Sequence, residues 1–357
     1  MPSRSTNRRL LLATVLATLA VLAVACSSSS TTTSTGTGGS TPSGSATDGA
    51  KPDKITIAYQ EVPNGDLVVK HEKWLEAALP GVTIEWKKFD SGGDVNEAVA
   101  AGAIDFGLAG SSPVSRGLSQ PLAYQVPWIF DVIGKAEALV VKGDKGINSL
   151  ADLKGKTIAT PFASTSHYSL LAALKDAGVS ESDVKVIDAA PGDIYAAWTR
   201  GDIDGAYVWN PNLAKMKAEG GKVLVDSEQL SKKGKTTYDL AVVTNDFASK
   251  YPNVVTIWAQ QQDKAVKLIT SDPTKAAIAV GAELNITPDE AKAQLSDLIF
   301  LTAQEQVGKD YLAGGLADNL IASAEFNKTL GKIDQVQPPE TYKQAVVTTF
   351  AQAASGA

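Results

Sequence analysis

The chain of 357 residues holds one cysteine, Cys26, and two histidines, His71 and His167. A lone cysteine cannot close an internal disulfide, and no Cys/His spacing resembles a zinc frame. His71 sits among lysines in "VVKHEKWL", as a solvated helix position would, and His167 directly follows Ser166, a poor geometry for a nucleophile and its base. The G-x-S-x-G, H-E-x-x-H and P-loop strings are missing, so triad hydrolases, zincins and nucleotide-phosphate enzymes lose their usual frames. Arginine is scarce as well. Beyond Arg4, Arg8 and Arg9 there are only Arg116 and Arg200. Arg200 precedes "GDID", at the wrong end of its strand, and Arg116 lies a turn into its helix. The bidentate clamp that holds the carboxylate of α-amino acids is therefore not in evidence.

Long apolar runs are also few. The longest apolar run without a charge, Leu10 to Ala25, is shorter than the roughly 20 residues of a membrane span. With Arg4, Arg8 and Arg9 ahead of it and small residues at its end, it reads as a signal peptide over residues 1–25. Cys26 follows at once, a position that resembles the lipidation cysteine of bacterial lipoproteins. Ala23 stands where that motif usually has leucine, and plain secretion with cleavage nearby is the alternative. The Ser/Thr/Gly stretch over 26–53 has no large apolar anchor and reads as a flexible tether. Of 33 basic residues, three belong to the leader. The remaining 30 face 39 acidic ones, a net charge of about −9 that argues against nucleic acid as a partner.

From Lys54 onward short β-rich runs alternate with helical spacing: "KITIAYQ", "DLVVKHEKWLEAAL", "VTIEWKKF", "GGDVNEAVAAG", "IDFGLAG". The same order recurs from Lys156, which implies βαβ units and α/β lobes with parallel sheets. The echo reaches single residues: Gly102, Ile104, Asp105 and Pro113 answer to Gly201, Ile203, Asp204 and Pro211. "AEALVVKG" and "YDLAVVTND" bracket the second lobe and read as paired crossovers forming a two-strand hinge. The expected bounds are 54–140 for the first lobe, 141–240 for the second, and 241–353 for a return to the first lobe with C-terminal helices.

Open α/β sheets bind ligands beyond the carboxyl ends of their strands. Loops in that position carry Gln60 and Glu61, then Gly110, Ser111 and Ser112, then Ser164, Thr165 and Ser166, and finally Trp209. Hydroxyl residues ahead of a helix most often cap it. Two such helix starts facing one cleft also suit an anion, held by N–H groups and the helix dipole. Glu61 and Asp239 are carboxylates available for a ligand cation, and Trp209 could stack on a ligand or meet an ammonium. Each also has a plain structural reading, as a solvated acid or a core aromatic. Anion donors on one side and a carboxylate on the other describe a small zwitterion.

"KITIAYQ", "GSSP", "EALVVK", "PFASTSHYSLLAALKDAG", "AAWTRGDIDGAYVWNP" and "LTAQEQ" together resemble the substrate-binding proteins of bacterial taurine ABC transporters, over about Lys54 to Gln306. The resemblance implies a type II, cherry-core periplasmic-binding-protein fold that closes on taurine without a metal, cofactor or catalytic residue. It implies the sulfonate on Ser111, Ser112 and the Ser164–Ser166 helix start, and the ammonium on Asp239, with Gln60 and Trp209 lining the cleft. It further implies a monomer on the extracytoplasmic face of the membrane, held through Cys26 and served by a permease and an ATPase. The run "EVPNGD" after Gln60 departs from the family pattern, which leaves a related sulfonate, or another small organic anion, as the alternative cargo. An enzyme on the same fold is a remote one.

Overall fold

A run such as "ITIA" is rich in β-branched residues and carries no charge, which suits a strand covered on both faces. In the computed structural model, which describes residues 49–356, that run lies in β1 (Lys54–Tyr59), buried from Ile55 to Ala58. The expected signal peptide over 1–25, Cys26 and most of the expected 26–53 tether lie outside the described residues. Among the described residues no helix is long and apolar enough to cross a membrane.

Among the described residues ten strands form two five-stranded sheets. The first has the order β2 (Thr83–Lys88), β1, β3 (Phe106–Gly110), β10 (Tyr238–Thr244), β4 (Tyr124–Val132). The second has the order β7 (Lys185–Asp188), β6 (Thr157–Thr160), β8 (Gly205–Trp209), β5 (Glu137–Lys142), β9 (Gly221–Asp226). In each sheet four strands run one way and one runs against them: β10 in the first, β5 in the second.

Those reversed strands are the two runs expected to pair with each other at the hinge. They pair instead within their host sheets, β5 with β8 and β9, and β10 with β3 and β4. The reason is directional. A chain that crosses from the other lobe arrives at the carboxyl edge of the new sheet, so its first strand must run antiparallel. The change of lobe therefore falls before Glu137 and again before Tyr238, a few residues ahead of the expected 140/141 and 240/241 bounds.

The sequence echo has a physical cause. Gly102 and Gly201 both adopt φ near +70° (65° and 78°), the left-handed conformation that ends a helix and that glycine enters without strain. Ile104 and Ile203 are buried beneath the turn. Asp105 accepts a hydrogen bond from the N–H of Thr56 at 2.8 Å, and Asp204 accepts one from Thr157 at 2.9 Å. Each aspartate thus staples the start of the neighbouring strand.

Alternation along β5 builds the second lobe on both faces. Leu139 and Val141 pack with Leu170 and Tyr207 on one side, while Ala138 and Val140 meet Trp198 and Met216 on the other. In the first lobe Phe106 stacks on Trp258 of the long Pro252–Ser271 helix, centroids 5.1 Å apart. The Gly315–Thr329 helix reaches the second lobe: Phe326 meets Tyr168 edge-on at 5.0 Å, and just beyond the helix Lys332 pairs with Glu181 at 3.1 Å. The two lobes stand closed on each other.

Replacing either staple, Asp105→Ala or Asp204→Ala, should lower unfolding stability by roughly 1–3 kcal/mol, the cost of leaving a part-buried N–H without its acceptor. Urea unfolding of both variants checks this; a loss under about 0.5 kcal/mol in both would show that the staples are dispensable.

Candidate ligand-binding site

The carboxyl ends of β1, β3, β6 and β8 and the starts of β5 and β10 meet between the lobes. They line a narrow cleft between the lobes. Of the expected residues, Gln60, Gly110, Ser164, Thr165, Trp209 and Asp239 line it, joined by Gly92, Pro113, Ile133 and Glu137. The buried Gln60 amide donates to Leu108 O at 2.9 Å, which ties the end of β1 to β3. Gly110 has no room for a side chain: a Cβ there would collide with Thr165 from the opposite lobe. A glycine at this point is what lets the lobes approach.

Glu61 lies elsewhere. It is half-exposed, 3.5 Å from Lys88, and faces a neighbouring outer cavity that shares Gln60 and Trp209 with the inner one. Ser111, Ser112 and Ser166 sit behind the wall of the inner cavity. Ser111 Oγ accepts from Tyr238 N, and Ser112 Oγ accepts from Asn327 Nδ2. Ser164 is an N-cap: its Oγ accepts from His167 N at 3.1 Å and donates to Pro161 O.

The rest of the hydroxyl cluster holds an anion that belongs to the protein. Thr165 and Ser166 donate to one carboxylate oxygen of Glu137, at 2.5 and 2.9 Å. Ser227 and Ser169 donate to the other, at 2.8 and 3.3 Å. A carboxylate offers about four lone-pair sites, and here four donors occupy them. Sequence reasoning missed Glu137. Its signal was present, because "EALVV" from Glu137 echoes "DLAVV" from Asp239. The registers match: Glu137 pairs with Trp209 at the end of β8, as Asp239 pairs with Gly110 at the end of β3. The two acids are equivalent positions of the two lobes.

Electrostatically this end of the cavity is acidic and uncompensated. Asp239 is buried, and burial with the nearby Glu137 pushes its carboxyl up to about 7. Glu137 is also raised by burial, against the pull of its four hydroxyl donors. No Lys or Arg pairs with either acid among the described residues. Arg200 pairs with exposed Asp202, far from any role in the cleft. His167 is stacked on Phe162 and kept neutral, pushed down to about 3 by burial.

Three helices begin at the same cavity: Gly92–Ala100, Ser111–Ser119 and Thr165–Asp176. Their starts line it through Gly92, Gly110, Pro113, Ser164 and Thr165. The first N–H groups of a helix have no partner within it and carry the positive end of its dipole. The cavity thus brings two buried acids and three helix starts together, with Gly110 aligned with Asp239 and Thr165 hydrogen-bonded to Glu137.

Two lobes of matching strand order closed over such a cavity define the class: the chain has the periplasmic-binding-protein fold. A solved structure of that fold, the alkanesulfonate-binding protein SsuA of Xanthomonas axonopodis pv. citri bound to MOPS, superposes with a TM-score of 0.69 at 21% identity, over 85% of this chain and 99% of that one. The chain belongs to the NMT1/THI5-like family, whose pattern matches residues 74–276. It is 38% identical over 304 residues to the taurine-binding periplasmic protein of Escherichia coli K12, covering 84% of this chain and 92% of the relative. A desulfurization enzyme, DszB, in complex with biphenyl-2-sulfinic acid, shares the fold at 15% identity and a TM-score of 0.64, over 85% of this chain and 99% of that one.

The raised acids set a pH dependence. Asp239 and the buried Asp66, also pushed up to about 7, keep their protons in the folded chain at pH values where the unfolded chain has lost them. Between the usual carboxylate value of 3.8 and about 7 the folded state binds more protons, so stability falls as pH rises, by up to about 1.4 kcal/mol per pH unit per group. Thermal unfolding without ligand should show Tm falling from pH 5 to pH 8, with a shallower fall in Asp239→Asn. A flat profile would mean the acids are compensated.

Proposed function

We propose that the chain is the extracytoplasmic solute-binding component of an ABC importer, with taurine as its cargo. The observation that carries the reading is the lining of the cavity: Asp239 and Glu137, with no basic partner among the described residues, together with three helix starts. A small molecule with an ammonium and a sulfonate matches both features at once. The 38% identity to a taurine-binding periplasmic protein supports the same reading.

The two acids do different work. All four acceptor sites of Glu137 are taken, so it contributes charge without a free lone pair. Asp239 is the acid with acceptor capacity to spare, and it takes the ammonium directly. The sulfonate goes to the N–H groups at Gly92, at Gly110 to Ser112 and at Ser164 to Ser166. Thr165 and Ser166 serve it through their backbone, since their hydroxyl protons point at Glu137. Gln60 and Trp209 close the wall, and Glu61 stands at the outer cavity, away from the ligand.

The lobes part at the two crossovers to admit the ligand, and the closed form delivers it to the permease and ATPase. Cys26, once lipidated, would hold the protein at the outer face of the membrane as a tethered monomer. An alkanesulfonate without an amine would leave Asp239 facing an empty end, which is why taurine is preferred over that cargo. Catalysis on this fold would need a nucleophile with its base. The nearest histidine, His167, is buried against Phe162.

The test is isothermal titration of the body from Lys51 onward with taurine, ethanesulfonate, sulfate and glycine. Tight binding of taurine alone is the expected result; equal binding of ethanesulfonate would remove the ammonium subsite, and no binding by any of the four would overturn the cargo. In the same assay Asp239→Ala should weaken taurine by tenfold or more and leave ethanesulfonate within about twofold. Equal losses for both ligands would take Asp239 out of the ammonium site.

A further inference from the structure

Behind the cavity lies a third carboxylate. Asp131, on β4, is fully buried and is the register partner of Asp239 across the β4–β10 pair. On its other side Asp239 is aligned with Gly110. Gly110, Asp239 and Asp131 therefore form one row across the sheet, and Asp239 borders the cavity while Thr165 of the opposite lobe packs over the glycine. β4 carries an extra residue at this point, since Asp239 pairs with Asp131 but Leu240 pairs with Ile129. Such bulges re-aim side chains beside sites.

No donor among the described residues reaches either oxygen of Asp131. The side chain within hydrogen-bonding reach of it is Asp239 itself. Two adjacent carboxylates in a buried place cannot both be ionised, and one proton between them removes the conflict. The other titratable group acting on the pair is Glu137, from β5; β3 and the helix that follows it present the uncharged Gly110 and Ser111. Among the described residues no basic side chain offsets these three acids.

We propose that Asp131 is a positioning residue for the ligand-binding acid: it stays protonated, donates to one oxygen of Asp239, and leaves the other oxygen, with the single negative charge, turned to a ligand ammonium. The inference rests on the reading of this cleft as a site for an amino-sulfonate. A proton held by Asp131 lets the pair carry one charge where two would repel. It also fixes which oxygen of Asp239 faces the ligand.

The experiment compares full-length wild type, Asp131→Asn and Asp131→Leu, titrated with taurine and with ethanesulfonate from pH 5.5 to 8.5. An asparagine amide can donate the same hydrogen bond without a titrating proton, so Asp131→Asn should bind taurine within about threefold of wild type. Asp131→Leu cannot donate; taurine should weaken tenfold or more, ethanesulfonate should be unaffected, and the loss of taurine affinity on acidification should begin at a higher pH. If Asp131 were instead ionised, both variants would lose taurine affinity equally, and the acid limb would move to lower pH in both. That outcome overturns the proposal while leaving the cargo in place. Failure of the wild type to bind taurine would overturn the reading of the cleft and this proposal with it. Should Asp131→Leu not fold, Asp131→Asn and its pH limb still decide.

Discussion

The arrangement of this protein follows from one constraint: the chain must pass between two lobes twice, and both passages occur where the cavity lies. Each passage delivers the chain to the carboxyl edge of a sheet, and the strand that follows runs against its neighbours. Because β5 and β10 start at the cavity, their first residues sit there, opposite the last residue of β8 or β3. The first residue of β5 is Glu137 and the second of β10 is Asp239. The acidic end of the site is thus a consequence of topology, with one acid supplied by each lobe.

The two acids have been treated unlike each other. Glu137 is enclosed by Thr165, Ser166, Ser169 and Ser227, whose hydroxyls satisfy it in place of water. This hydroxyl shell spans the start of one helix and the residue after β9, so it also fastens those elements to β5. Asp239 has no such shell. It borders the cavity, a glycine and another acid, the setting of a group that must remain available. A hydroxyl cluster placed at a helix start can stabilise an external anion or an internal one, and in this chain the side chains serve the internal one. The backbone N–H groups beneath them keep their own polarity.

Much of the architecture could be read from the chain. The alternation of strand and helix, the Gly-x-Ile-Asp echo and the loops beyond the strand ends placed both lobes and half of the cavity wall. What could not be read was anything that depends on register between distant strands. "EALVV" and "DLAVV" were visible as β-rich runs, yet nothing local says that each inserts antiparallel into a different sheet, or that Glu137 lies under the hydroxyls of the Thr165–Asp176 helix. Asp131 is hidden more deeply. It stands in the apolar run "VPWIFDVI", where a single acid gives no hint that its neighbour across the strand pair is another. Glu61 shows the opposite case: its place directly after β1 suggested the cleft, and the turn carries it to Lys88 at the outer cavity.

The division of the acids between lobes bears on closure itself. Asp239 belongs to the first sheet and Glu137 to the second, so bringing the lobes together brings like charges together in a space with little water. In the closed form without ligand that repulsion has to be met by protons, which is the direction in which burial pushes both groups. A ligand cation placed beside Asp239 meets it without them. Closure contacts such as Phe326 on Tyr168 and Lys332 with Glu181 lie outside the cavity lining, so a ligand in the cavity does not touch them. The charge at the acidic end can distinguish full from empty, because a ligand shifts a two-state equilibrium only by its differential interaction with the two states. In this geometry an ammonium gains most where both acids surround it, and that place exists only when the lobes are closed.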